Sequence, residues 1–364
     1  IWAGLNNKAN KFLTAFIDLA KLLTDAKMMK GITIALQSMS PEVLDAVKRK
    51  NVDGGKLKEF FELYKGENLK TYIELILGLP KETVKSFKDG IFQILDLEYY
   101  DYIGVYPMTV LPNTPFAEPE YVEEYGIDVT ETLPAFFHHD YPQGMKDETS
   151  TMVVGHKTLT RDEYIEMSMW RWLFMFGHNL GYLQYTARFL KSIHQIEYRE
   201  FYEKFYSYMI ENPNTLIGRE YLTTVKRFKG IINRTEYWGR SIDEIKKDYY
   251  WDFEEATALV FSMNENEWYK DLRGFLKQFD LSEELEDDIL GFQHLFVSNP
   301  FQVYPVKKEF NYNIKDVLFE NKKLKNSGYE YTFENKNYQR DLLKWCKEMM
   351  WWGRRNMQHQ SVVL

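Results

Sequence analysis

The chain has 364 residues and a mass of 43.6 kDa, room for about two domains at roughly 150 residues each. Apolar residues make up 45% and charged residues 27%, which excludes a wholly disordered chain. Lys and Arg total 46 against 54 Asp and Glu, a net charge of −8 that speaks against a general nucleic-acid binder, and the one cysteine, Cys346, excludes an internal disulfide or a Cys-based metal site.

The first 117 residues alternate helix and strand signals. Phe12, Phe16, Leu19, Ala20 and Leu23 recur at helical spacing, and Gly31 is read as the end of that helix. Ile32–Leu36 is a short β-branched run, predicted as a strand. Ser40-Pro41-Glu42 opens a helix whose apolar face is Val43, Leu44 and Val47. Leu57, Phe60, Phe61 and Tyr64 predict another helix. Tyr72–Leu77 is nearly all apolar, as a strand covered on both faces should be. Val84, Phe87, Ile91 and Leu95 mark the next helix, and Tyr102–Tyr106 a third strand. Strands separated by helices predict βαβ units and a parallel sheet.

Side chains alternate faces along a strand, so each strand can be split in two. Ile32, Ile34 and Leu36 form one greasy face, and Thr33, Ala35 and Gln37 the other. In the second strand Ile73, Leu75 and Leu77 oppose Glu74, Ile76 and Gly78. In the third, Ile103 and Val105 oppose Tyr102, Gly104 and Tyr106. The greasy faces suit helix packing; the smaller or more polar faces suit a lumen that admits a ligand.

Residues 118–160 carry Pro119, Pro134, Pro142 and Gly144 without a sustained period and read as a long connection. Thr160-Arg-Asp-Glu163 is a capping-box pattern. Residues 161–364 read as a mainly helical domain, with helices near 161–195, 198–211, 214–237, 254–277, 281–297 and 336–352, and a small hairpin within 301–323. No apolar run reaches the roughly 18 residues of a membrane span. Trp170–Phe176 comes nearest and is broken by Arg171. The expected setting is the cytoplasm.

Three segments carry a resemblance. They are Ile34-Ala-Leu-Gln-Ser-Met-Ser-Pro-Glu-Val-Leu44 with Lys48-Arg-Lys-Asn51, then Glu74-Leu-Ile-Leu-Gly-Leu-Pro-Lys-Glu-Thr83, then Tyr106-Pro-Met-Thr-Val-Leu-Pro-Asn-Thr-Pro115. In that order and spacing they resemble the second half of a radical S-adenosylmethionine (SAM) core, closest to the enzymes that carry an N-terminal cobalamin-binding domain. The resemblance implies the C-terminal half of a partial (β/α) TIM-like barrel over residues 1–117, followed by the helical region. It implies SAM as cofactor, with a 4Fe–4S cluster and cobalamin in the full-length protein, a small-molecule substrate, and methyl transfer or related Fe–S oxidoreductase chemistry.

By the same resemblance Gln37 and Ser38 meet the SAM ribose or methionine, Ile76, Gly78 and Leu79 lie along the adenine, and the segment holding Tyr106, Pro107 and Asn113 meets the adenine edge. Glu74 is the substrate-reading candidate. A bare glycine backbone at Gly78 and the mixed donor–acceptor amide of Gln37 fit such roles.

Several family features have no counterpart here. There is no C-x3-C-x2-C motif, no glycine-rich second-strand segment and no D-x-H-x-x-G signature. Glu74 and Lys81 stand where glycines are usual, and so does Asn113, whose side chain tolerates left-handed backbone angles. The expectation is therefore a C-terminal fragment, inactive alone, whose partner is the missing N-terminal half of the barrel. The alternatives are a non-catalytic helical interaction module with a degenerate barrel remnant, and a different barrel enzyme using Glu74 in acid–base chemistry.

Other conspicuous residues have plainer readings. His138 and His139 lack the spacing of further ligands, so no metal is assigned to them. His178 reads as a packed histidine, Arg354-Arg355 as a solvated charge pair, and Cys346 as a structural thiol.

Overall fold

A computed structural model describes residues 9–364 apart from 27, 30, 53, 133–136, 139–148, 336–340, 353 and 355–358. Its contacts divide the chain into two compact units. Of the described residues, the first holds those up to Val129 with Met152–Met167; the second holds those of Thr130–Thr151, Ser168–Arg354 and His359–Leu364.

The first unit runs α1 (Ala9–Asp25), β1 (Ile32–Gln37), α2 (Pro41–Ala46), α3 (Gly54–Gly66), β2 (Thr71–Leu77), α4 (Val84–Asp96) and β3 (Tyr102–Pro107). The three strands form one parallel sheet in the order β1-β2-β3. The expected α/β arrangement with a parallel sheet is present: among the described residues this sheet has three strands, joined by helices. The predicted split of the faces holds along β1 and β2. Ile32, Ile34, Leu36, Ile73, Leu75 and Leu77 are buried, while Thr33, Ala35, Gln37, Glu74 and Ile76 are half-buried.

Gly31 does not cap α1, which ends at Asp25. It stands where β1 meets β2: a Cβ there would lie 3.1 Å from the Lys70 carbonyl oxygen, to which the Ile32 N–H donates. β1 has a neighbour on one side only among the described residues. The exposed Lys48, Arg49 and Lys50 share a cavity of about 560 Å³ with Ile34 and Leu36 of this strand and with Phe60 and Tyr64.

The stretch read as a connection contains α5 (Pro119–Tyr125), β4 (Asp128–Thr132) and β5 (Ser150–Gly155). Local periodicity missed them because each is short and bounded by turn residues. The Thr160 capping box is present: Thr160 N–H donates to Glu163 Oε2 at 2.8 Å, and Glu163 N–H to Thr160 Oγ1 at 3.3 Å. It opens α6 (Arg161–Phe174), within which the chain passes from the first unit to the second.

The second unit is mostly helical, as its periodicity predicts. It contains α7 (Gln184–His194), α8 (Tyr198–Glu211), α9 (Leu216–Ile232), the antiparallel pair β6 (Arg240–Ile242) and β7 (Lys246–Trp251), then α10 (Phe253–Met263), α11 (Glu265–Leu276) and α12 (Glu283–Phe296). β8 (Val306–Tyr312), α13 (Ile314–Glu320), β9 (Asn326–Glu334), α14 (Leu342–Trp345) and β10 (Val362–Val363) follow. The expected hairpin exists, but its second strand is β9, beyond the predicted range, and α13 fills the connection. The core is aromatic: Phe261 stacks on Trp268 at 4.1 Å and Trp170 on Tyr206 at 4.3 Å.

Arg171 can interrupt an apolar run because it is buried against acids, 3.4 Å from Asp252 and 3.8 Å from Glu254. Arg354 is not a solvated charge: it is buried, 2.6 Å from Glu254. Arg355 lies outside the described residues. Burial, with the Asp252 charge, outweighs both guanidinium groups and pushes the Glu254 carboxyl up from 4.5 to about 7. His138 Nε2 lies 3.0 Å from Glu255 Oε2 in the same cluster, while His139 lies outside the described residues. His178 is buried, 3.2 Å from the Gln184 side chain.

Candidate functional site

A cavity of about 490 Å³ opens at the carboxyl ends of β1, β2 and β3. That is within the usual range for small-molecule sites, roughly 300–1,000 Å³, and at the edge of a parallel sheet where ligands usually bind. Gln37, Glu74, Ile76, Leu79, Tyr106 and Pro107 all line it. Strand register explains the convergence. Ala35, Glu74 and Gly104 pair across the sheet, so Glu74 has small residues on both sides, and Ile76 pairs with Tyr106 one row further on.

Three of the residues singled out from sequence do not line this cavity. Ser38 is buried beneath it, where its hydroxyl donates to Glu82 Oε2 at 2.8 Å. Gly78 has φ +87°, and a Cβ there would come within 3.2 Å of the Tyr164 ring and 3.5 Å of the Val153 carbonyl oxygen. Its glycine is required by backbone shape and by Tyr164. Asn113 is exposed, with φ +63°, on the loop that brings Pro115 and Phe116 to the cavity.

The sequence reading missed Arg49 and Phe116 as lining residues. Arg49 was inside a quoted motif, yet nothing in its spacing told which way the loop after α2 turns. Below the cavity, Val43, Leu79, Met108 and Val153 form an apolar base. The Val153 N–H donates to the Met108 carbonyl at 2.9 Å, fixing the segment after β3.

The polar groups in the cavity are available. Neither the Gln37 amide, the Arg49 guanidinium nor the Glu74 carboxylate makes a side-chain hydrogen bond or ion pair with another described residue. A carboxylate in a largely apolar wall is costly without a partner, so Glu74 favours a cationic or donor group in the cavity. Gln37 both donates and accepts, which suits vicinal hydroxyls.

Glu82 anchors the start of α4. Its carboxylate accepts from Ser38 and, at 2.5 Å, from Ser86. Burial pushes its carboxyl above the ordinary range, partly offset by those two hydroxyls. Thr83 caps the same helix, its side chain accepting from the Ser86 N–H.

The residues fit SAM: the cavity has apolar walls for a base, an amide for sugar hydroxyls and a carboxylate. They do not fit a 4Fe–4S cluster. Cys346 is the single thiol of the chain and is fully buried, its thiol pushed far up by burial and then by the Glu255 charge. Among the described residues no group of three His, Cys, Asp or Glu could hold a metal ion. Among them, too, no helix is long and apolar enough to cross a membrane.

No family model matches the chain. Two curated proteins do match. The cobalamin-dependent radical SAM methyltransferase TokK of Streptomyces tokunonensis is 36% identical over 207 residues, which is 56% of this chain and 30% of that protein. The 2-(S-pantetheinyl)-carbapenam-3-carboxylate methyltransferase of Streptantibioticus cattleyicolor is 34% identical over 221 residues, 60% of this chain and 32% of that protein. The chain is thus a relative of cobalamin-type radical SAM methyltransferases, as the three motifs implied, and spans about a third of the length of these relatives.

Proposed function

We propose that this chain is the C-terminal part of a cobalamin-dependent radical SAM methyltransferase, and that the cavity at the ends of β1–β3 receives the nucleoside part of SAM. The carrying observation is the convergence of Gln37, Glu74, Ile76, Leu79, Tyr106 and Pro107 on one cavity. In this reading Ile76 and Leu79 flank the adenine, Gln37 bonds the ribose hydroxyls, and the backbone from Tyr106 to Met108 meets the adenine edge. Ser38 and Gly78 shape the site from behind, and Asn113 turns its loop. Glu74 meets the small-molecule substrate. Bound SAM supplies the methyl group and, on reductive cleavage, a 5′-deoxyadenosyl radical.

The chain alone is inactive in this reading, because the cluster ligands belong to an N-terminal half of the barrel that is its natural partner. Cobalamin belongs to that partner segment too. A single buried thiol suits a reducing compartment.

The test is calorimetric titration of the chain with S-adenosylhomocysteine, which carries the same nucleoside. Saturable binding is expected, and Gln37→Ala should weaken it by about 1–2 kcal/mol, the typical loss for one polar contact in a site. Glu74→Gln should leave that affinity unchanged. Absence of binding to the wild-type chain at millimolar ligand would remove the proposal.

A further inference from the structure

Gln37 is held in an unusual backbone state. Its φ is +65°, and the Ser38 N–H donates to the Leu36 carbonyl at 2.8 Å, closing a three-residue γ-turn with Gln37 at its centre. Turns of this hand are rare and strained, and left-handed angles are costly for a residue with a side chain. The β1–β2 register also shifts here, between Ala35 and Gln37. Such strain persists only where surrounding groups over-determine it.

Two side chains do so. The Asn51 amide nitrogen donates to the Leu36 carbonyl at 3.0 Å and to the Ser38 carbonyl at 2.7 Å, bracketing Gln37. From the other side the buried Glu82 carboxylate accepts the Ser38 hydroxyl at 2.8 Å, and that hydroxyl accepts the Ser40 N–H at 3.1 Å. Neither Asn51 nor Glu82 lines the cavity. Both act on the one residue there whose amide is free to bind a ligand.

We propose that Asn51 is a positioning residue of this site: together with Glu82 it holds the Leu36–Ser38 turn in the strained form that presents the Gln37 amide to the sugar hydroxyls of the ligand. The proposal rests on the nucleoside reading of the cavity. It makes Asn51 and Gln37 one functional unit, although Asn51 touches no ligand.

A double-mutant cycle on the chain tests this, with S-adenosylhomocysteine as the probe. Asn51→Ala and Gln37→Ala should each weaken binding about tenfold, and the double variant should be no weaker than either single one. Glu82→Gln, which keeps an acceptor for Ser38, should bind as the wild type does, whereas Glu82→Ala should not. In the ligand-free chain, hydrogen exchange at the Ser38 amide should speed up in Asn51→Ala and stay unchanged in Gln37→Ala. Should Asn51→Ala fail to fold, as judged by its melting curve, Ser38→Ala opens the clamp from the Glu82 side and should couple to Gln37→Ala in the same way. Multiplicative losses, near a hundredfold in the double variant, would overturn the proposal while leaving the nucleoside reading intact. No binding by the wild-type chain would overturn both.

Discussion

Arg354 Nη1 lies 2.6 Å from Glu254 Oε1, and neither side chain reaches solvent to any extent: they are 5% and 0% exposed. Arg354 is one of two guanidinium groups beside Glu254, the other being Arg171 at 3.8 Å, so its loss takes away the shorter of two contacts. Arg354→Met should destabilise the second unit by about 1.5–3 kcal/mol, the range for a hydrogen bond to a charged group. Eight of the nine tryptophans fall in that unit, so tryptophan fluorescence during urea unfolding reads it selectively. A loss under about 1 kcal/mol would mean that the guanidinium is dispensable there.

Two buried groups of that unit are shifted far in opposite directions. Glu254 is raised to about 7 from 4.5, so its contribution is lost as pH rises from 4.5 through 7. Burial lowers the buried His359 to about 4 from 6.5, so its contribution is lost as pH falls from 6.5 through 4. Between pH 4.5 and 6.5 the two contributions therefore run against each other. Substituting one unmasks the other. Glu254→Gln should make stability climb with pH over that interval, and His359→Gln should make it decline. Parallel curves for the two variants would exclude this pairing.

Gly78→Ala should destabilise the first unit by about 1–3 kcal/mol, because φ is +87° there and the Tyr164 ring stands 3.2 Å from the added carbon. Lys81 has φ +68°, and Lys81→Gly should be neutral or stabilise slightly. The check is hydrogen exchange of β2 amides in both variants. Equal protection in Gly78→Ala and the wild type would refute the strain argument.

Anaerobic reconstitution of the chain with iron and sulfide should yield no stoichiometric 4Fe–4S cluster, since Cys346 is its one thiol. In the native protein Cys346 should also resist thiol reagents, being 0% exposed with its thiolate disfavoured by burial. It should titrate only on unfolding. About four irons per chain would contradict the first expectation, and prompt native labelling the second.

The first unit was legible because strands that alternate greasy and lumen-facing residues declare their faces; that period set Gln37, Glu74 and Ile76 on the lumen side, and the resemblance gave Gln37 and Ile76 their roles. Ser38 was misplaced since adjacency says nothing of the γ-turn at Gln37, which commits the next hydroxyl to Glu82, 44 residues away. Asn51 stood inside a quoted motif, yet nothing in that motif told that its amide would bond two backbone carbonyls, those of Leu36 and Ser38. Lys81 and Asn113, at positions where the resemblance expects glycine, both have left-handed backbone angles, which glycine adopts at least cost. In the second unit the helices announced themselves by period. Arg354 did not, because its partner lies 100 residues away and an arginine beside another arginine looks solvated.

The cations near β1 have a colloidal consequence. An unpaired strand edge is a template for pairing between molecules; among the described residues β1 pairs on one side only, and Lys48, Arg49 and Lys50, which share a cavity with its Ile34 and Leu36, set like charges near it. Their repulsion reaches only as far as the Debye length, about 10 Å at 0.1 M salt and about 3 Å at 1 M. Dispersed chains are therefore a low-salt state. Raising ionic strength brings edges into reach of one another, and light scattering should grow with salt, with Lys48→Glu reversing one of these charges.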